Sequence, residues 1–195
     1  LFAVLLGSAL LCYAGWELII VGLLCVLFAF LYTTGPYPLS YNGWGDVLVI
    51  VFFGFVPVGG TYYVQALTWT SDTTVASLIC GLLIDTLLVV NNYRDREADA
   101  RSGKRTVIVR FGEKFGRYLY LMLGVAASLL CFWFFFEGHL FAALLPLLYL
   151  IPHVLTWRRM VQIHSGKKLN SILGETSRNM LLMGILLSIG FLIRH

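Results

Sequence analysis

Thr74-Val75-Ala76-Ser77-Leu78-Ile79-Cys80-Gly81-Leu82-Leu83-Ile84-Asp85-Thr86-Leu87-Leu88-Val89-Val90-Asn91-Asn92 runs without a break into Tyr93-Arg94-Asp95-Arg96-Glu97-Ala98-Asp99. As far as Val90 the stretch is apolar apart from Asp85 and a few small polar residues, and it has the roughly 20-residue length that a bilayer-spanning helix needs. No glycine-proline punctuation separates it from the charged segment. The two parts therefore read as one helix that leaves a membrane at its polar end.

Outward from this segment the same pattern recurs. Spans are expected at Trp16 to Thr33, Val47 to Leu67, Thr74 to Asn92, Arg117 to Phe136, His139 to Trp157 and Ser177 to Ile193, with Leu1 to Tyr13 as the tail of a seventh. Hydrophobic residues make up 59% of the chain and charged residues 12%, with a mean hydropathy of +0.83. A soluble globular domain carries about 25% charged residues. The runs are too long for strands and lack period-2 alternation, so the fold class is all-α: a polytopic membrane helical bundle. The chain opens on Leu1 inside an apolar run, without Met or a signal-peptide pattern. It is read as an N-terminally truncated chain whose residues 1–195 form a single transmembrane domain.

Cations set the orientation. Residues 1–93 hold no Lys or Arg, and the cations then cluster between Arg94 and Arg117 and between Arg158 and Arg178. The positive-inside rule makes both regions cytoplasmic, so the charged cluster of this multi-pass chain is expected on the cytoplasmic side, and the membrane is expected to be the cell (inner) membrane. The net charge of +4 is this asymmetry and not a nucleic-acid surface. Cys12, Cys25, Cys80 and Cys131 lie in spans without CxxC pairing and read as small packing residues.

At about 100° per residue, Asp85, Asn91, Asn92, Asp95 and Asp99 share an arc of about 120°, and Glu97 points the opposite way. Asp95 and Asp99, at i and i+4 on a membrane surface, have the outline of a metal and diphosphate site, because Mg²⁺ commonly binds one or two carboxylates plus phosphate oxygens. Asn91 or Asn92 supplies a neutral oxygen or orients a carboxylate. Arg101, Lys104, Arg105 and Arg110 follow, suited to neutralise a diphosphate. Asp85 lies roughly 15 Å deeper along the axis, too far to share an ion; it lines an internal cavity or hydrogen-bonds a neighbouring helix. Tyr37, Tyr41 and Trp44 on the Tyr32 to Asp46 loop either stack on an aromatic ligand or form an interfacial aromatic belt. His153 and His164 are placed at or beyond the cytoplasmic end of their span, with no second ligand at metal spacing. Glu175 and Arg178 read as a local i, i+3 pair, and Pro57, Pro146 and Pro152 as kinks inside spans.

These stretches resemble the UbiA-type intramembrane aromatic prenyltransferases, and within them the branch that prenylates 1,4-dihydroxy-2-naphthoate in menaquinone synthesis. The likeness is carried by Tyr32-Thr33-Thr34-Gly35-Pro36-Tyr37-Pro38-Leu39, Gly60-Thr61-Tyr62-Tyr63-Val64-Gln65, Asn91 through Asp99, Gly103-Lys104-Arg105-Thr106 with Val109-Arg110-Phe111-Gly112, and Leu169-Asn170 with Leu173-Gly174. The resemblance implies a ring of nine helices around a central cavity with two aspartate-rich motifs. About seven spans are expected here, so the chain lacks the first two helices and the first motif. It further implies Mg²⁺ held by Asp95 and Asp99, Lys104 and Arg105 acting on the diphosphate, and a polyprenyl diphosphate donor. The acceptor implied is 1,4-dihydroxy-2-naphthoate, with carbon dioxide lost to give demethylmenaquinone. The alternatives are a relative using homogentisate, 4-hydroxybenzoate, a chlorin or haem, and a secondary transporter, which intramembrane Asp85 would also suit.

Overall fold

The computed structural model describes residues 5 and 7–193. Five helices are long and apolar enough to cross a membrane: α2 (Gly45–Ala66), α3 (Ser71–Arg101), α5 (Glu113–Phe136), α6 (Leu140–Ile163) and α7 (Lys167–Leu192). The apolar helix α1 (Glu17–Thr33), at 17 residues, is shorter. A short helix, α4 (Val107–Phe111), bridges α3 and α5. Among the described residues there is no strand, as the apolar runs predict. All six expected spans thus correspond to helices; the seventh, Leu1 to Tyr13, lies partly outside the described residues, and Leu11–Ala14 is one helical turn.

α3 is the axis of the bundle, packed against α2, α5 and α7, while α6 packs on α5 and α7. α1 buries none of its residues and touches the rest at its periphery, for example through Phe28 against Phe52 at 5.1 Å. Lipid cannot drive apolar helices together as water does, so close backbone approach carries much of the packing. A methyl group on Gly54 would meet the backbone of Ser77 and Gly81 at 2.5–2.9 Å, and one on Gly190 would meet Ala142 at 2.5 Å. Two buried clusters fill the remainder. One surrounds Val89, Tyr93, Tyr120 and Met160 near the cation-rich end; the other surrounds Ile79, Ala127, Phe134 and Met183 toward the opposite end.

Two spans outrun their expected limits. α3 is 31 residues long, about 46 Å against the roughly 30 Å of bilayer hydrocarbon, and it continues through Asp95 and Asp99 to Arg101. Thr70 caps its start by accepting from the Thr73 amide at 3.2 Å. α7 begins at Lys167 instead of Ser177: between its exposed polar residues Leu169, Ile172, Glu175 and Thr176 are buried, and Glu175 pairs with Arg159 of α6. That pair corrects the expected local contact of Glu175 with Arg178. His153 is also corrected: α6 runs on to Ile163, so the imidazole lies mid-helix, fully buried. It stacks between Tyr120 and Tyr149 and lies 2.9 Å from the Tyr149 hydroxyl. Pro57 falls in a π-helical stretch, Ile50–Gly59, and Pro146 in a 3₁₀ turn, Leu145–Tyr149. All four cysteines are free; Cys131 is buried, Cys25 and Cys80 are half-buried, and Cys12 is exposed.

Candidate active site

Arg94 organises the charged end of α3. Its Nε and Nη2 donate to both oxygens of Asp95 at 2.7 and 2.6 Å, a bidentate fork that fixes the carboxylate plane. Nη2 also donates to Asn91 Oδ1 at 2.6 Å, and Nη1 to Asn170 Oδ1 at 2.9 Å. One guanidinium therefore ties two polar positions of α3 to the start of α7. Asn92, one residue from Asn91, is buried.

The chain reverses after Arg101. Gly103 takes a positive φ of 78°, the Lys104 amide donates to the Asp99 carbonyl at 2.9 Å, and the Lys104 ammonium returns to 3.3 Å from Asp99 Oδ2. That contact is an ion pair without hydrogen-bond alignment: Asp99 Oδ2 is buried and has no hydrogen-bond partner among the described residues. A buried, charged acceptor left open is costly unless something else comes to it. Arg101 and Arg105 stay exposed, with no ion pair among the described residues.

The Tyr32 to Asp46 loop closes over this turn. The Arg105 amide donates to the Tyr41 carbonyl at 2.7 Å, and Arg110 Nη2 donates to the Asn42 carbonyl at 2.7 Å. Gly43, at a φ of 82°, leaves room for both; a side chain there would meet the Arg105 carbonyl at 3.1 Å. Arg110 is thereby committed to holding the loop. The rings of Tyr37 and Tyr41 are 56% and 43% exposed and so are free to meet a ligand or the bilayer surface.

Deeper along α3, Asp85 is buried with its Oδ1 unpartnered, and its charged neighbour is Asp46 at the start of α2. Among the described residues Asp85 forms no hydrogen bond to a neighbouring helix, one of the two roles expected for it. A cavity of about 770 Å³ lies beyond it between α3 and α7, lined by apolar side chains such as Ile79, Leu83, Ile84, Met180 and Met183. Asp85 itself is not in that lining. Among the described residues no three His, Cys, Asp or Glu side chains converge as a metal cage. The open oxygen of Asp99 beside the fixed carboxylate of Asp95 is instead a two-carboxylate set, which fits an ion that completes its shell with ligand oxygens.

The opposite flank of the same helix end carries a second cluster. Glu113 accepts from the Tyr93 hydroxyl and from Arg96 Nη2, both at 3.2 Å, and from Arg117. Arg117 Nε donates to the Tyr93 hydroxyl at 2.9 Å, and the Arg96 guanidinium lies over the Tyr93 ring at 4.5 Å. His164 Nδ1 lies 2.8 Å from Arg117 and 2.9 Å from Glu113. It accepts from the arginine when unprotonated there and donates to the carboxylate when protonated.

Asp95, Asp99, Asn91, Lys104, Arg105 and Arg110 are thus brought to one end of the bundle, and Glu97 is exposed away from it. The sequence reading missed Arg94 as the hub, because an arginine beside a span satisfies the charge rule whatever it touches. It quoted Asn170 without a role, since its partner lies 76 residues away.

The UbiA prenyltransferase family matches residues 1–190. A Haemophilus influenzae 1,4-dihydroxy-2-naphthoate octaprenyltransferase is 38% identical over 180 residues, covering 88% of this chain and 56% of that protein. The Mycobacterium tuberculosis protein of the same name is 44% identical over 119 residues, 61% of this chain and 40% of that protein. A Dictyostelium discoideum UbiA prenyltransferase domain-containing protein 1 is 30% identical over 162 residues, 83% of this chain and 48% of its own. The chain spans about half the length of the first of these curated relatives, and no solved structure matches it. By the extent of the family match and the identity to its members, the chain belongs to the UbiA prenyltransferase family.

Proposed function

We propose that the complete protein transfers a polyprenyl group from polyprenyl diphosphate to 1,4-dihydroxy-2-naphthoate at the charged end of α3, on the cytoplasmic side of the cell membrane. The observation that carries this reading is the open, buried oxygen of Asp99 beside the clamped carboxylate of Asp95, in a chain whose relatives bear that acceptor in their names. Asp95 and Asp99 would hold Mg²⁺, which when bound stabilises negative charge on a diphosphate leaving group.

The chain's own residues divide the remaining work. Arg94 keeps Asp95 in one orientation, so that its remaining lone pairs face a ligand without reorganisation. Lys104 balances Asp99 and, with the unpaired guanidinium of Arg105, receives diphosphate oxygens. The loop held by Arg110 covers the turn and excludes water, which would otherwise capture an allylic cation. Tyr37 and Tyr41 flank the approach of the aromatic acid. The apolar cavity between α3 and α7 takes the isoprenoid chain.

As the carbon–oxygen bond of the donor breaks, its electron pair leaves with diphosphate; a ring carbon supplies the pair for the new carbon–carbon bond, and the carboxylate departs as carbon dioxide. The substitution is redox-neutral, so the ring emerges at the hydroquinone level of demethylmenaquinone, with diphosphate and carbon dioxide as the departing groups. Membranes holding the full-length protein, supplied with polyprenyl diphosphate and each candidate acceptor, test this. Product is expected from dihydroxynaphthoate, and it should vanish with chelator and in Asp95→Ala. Equal turnover of homogentisate or hydroxybenzoate would overturn the acceptor, and full activity in Asp95→Ala would overturn the site.

A further inference from the structure

Away from the aspartates, α6 and α7 enclose a groove of about 630 Å³ that opens outward from the bundle. Its charged end holds Arg158, Arg159 and Arg178, drawn from both helices, and Gln162 adds an amide. Arg159 is engaged by Glu175, which is buried in the groove wall. Arg158 and Arg178 are exposed and have no ion pair among the described residues. Cations at this end of a membrane protein are expected from topology alone. Topology does not explain why two unpaired guanidinium groups from different helices line one concavity.

The other end of the groove is apolar. The two helices run antiparallel, so Leu155 and Pro152 precede Arg158 on α6 and Leu182 follows Arg178 on α7; all three line the groove on one side of the arginines, toward the apolar middle of their helices. At about 1.5 Å per residue, Pro152 is roughly 9 Å below Arg158 and Leu182 roughly 6 Å below Arg178. Leu155 and Leu182 are exposed, as lipid-facing side chains are. Between the two ends Asn179 donates to Thr156 at 2.9 Å, a neutral polar pair in the groove wall. The order of anion-binding cations, neutral polar pair and apolar wall is that of a phospholipid read from headgroup to acyl chain.

We infer that this groove binds an anionic phospholipid, with its phosphate between Arg158 and Arg178 and its acyl chains along Leu155 and Leu182. The site is separate from the proposed prenyl-transfer site and does not depend on that reading. Native mass spectrometry of the full-length protein, purified in neutral detergent and offered equal phosphatidylglycerol and phosphatidylcholine, measures it. At about 1 kcal/mol per interfacial cation, the wild type should prefer phosphatidylglycerol by roughly twenty-five-fold, and Arg158→Gln/Arg178→Gln should lose most of that preference. Arg158→Lys/Arg178→Lys should keep it to within about fivefold. Lys114→Gln, a charge removed elsewhere at the same membrane face, should leave it unchanged. Equal retention of the two lipids by the wild type, an equal loss in Lys114→Gln, or displacement of phosphatidylglycerol by millimolar inorganic phosphate would each overturn the inference.

Discussion

The two flanks of the charged end of α3 carry ion clusters of similar composition and opposite character. On one flank, both oxygens of Glu113 are engaged by Tyr93, Arg96 and Arg117, and His164 completes the ring. On the other, Asp95 is held by Arg94, but among the described residues Asp99 has only the Lys104 ion pair at a buried oxygen without a hydrogen bond, and Arg105 has no counter-ion. A closed network spends its charges on holding helices together; an open one keeps charge available for a ligand. Position on the helix alone does not separate them, since Tyr93, Arg94, Asp95 and Arg96 are consecutive. What differs is the partner each side chain meets across the bundle.

The sharpest break in this comparison is Asp99→Asn. If the open oxygen serves the ligand, the variant should lose about 10²- to 10³-fold in prenyl transfer, the scale of removing one preorganised electrostatic group from an active site. Its thermal unfolding midpoint in detergent should fall little, because the carboxylate accepts no hydrogen bond at Oδ2 and loses only its ion pair with Lys104. Turnover within twofold of wild type would place Asp99 among the structural residues.

Arg94→Lys comes next. A lysine keeps the charge but cannot form the fork to Asp95 or reach Asn91 and Asn170 together. Outer-shell partners of this kind are worth about 10- to 100-fold in affinity or activity. The expected loss falls in that range and appears as a higher Mg²⁺ midpoint in a metal titration. A pure folding defect would leave the metal midpoint unmoved.

Sequence patterns made the helices legible and the partners mostly illegible. Hydropathy locates where an apolar run ends, at Asn92, and not where the helix ends, because Arg94 to Arg101 continue the same backbone hydrogen bonding into water. It also starts the last span too late, since Asn170, Glu175 and Thr176 look like a surface while the latter two are buried. The 100° stripe needs only an unbroken helix from Asp85 to Asp99, and α3 is one, with Glu97 exposed. Long-range choices were beyond it. Glu175 has Arg178 one turn away and takes Arg159 from α6 instead. His153 reads as a boundary residue, yet it is buried between two tyrosines in a notch left by Gly124, where a side chain would meet the ring at 2.2–2.6 Å.

On the closed flank the expected effects are smaller and of the other kind. Glu113→Gln leaves Arg96 and Arg117 without their common counter-charge, in partly exposed surroundings that screen the loss. Stability should drop by about 1–2 kcal/mol in a denaturant or thermal assay, while prenyl transfer per folded molecule stays within about twofold. A larger fall in turnover than in folded protein would mean that the two flanks act as one site.

Tyr93→Phe asks the finest version of the question, because it removes one oxygen and nothing else. The ring is fully buried, and its packing on Val89, Tyr120 and the Arg96 guanidinium is retained. Its hydroxyl donates to Glu113 and accepts from Arg117, so the deletion takes one member out of the ring and leaves two charged groups still facing each other. The cost should be about 1 kcal/mol, the usual net value of such a bond. Combined with Glu113→Gln in a double-mutant cycle, it should show coupling of at least about 0.5 kcal/mol, because the two groups are in contact. Combined with Asp99→Asn, it should add, although Tyr93 and Asp99 lie on the same helix end. Additivity there, read beside coupling to Glu113, would separate scaffold from site along a helix where sequence places them side by side.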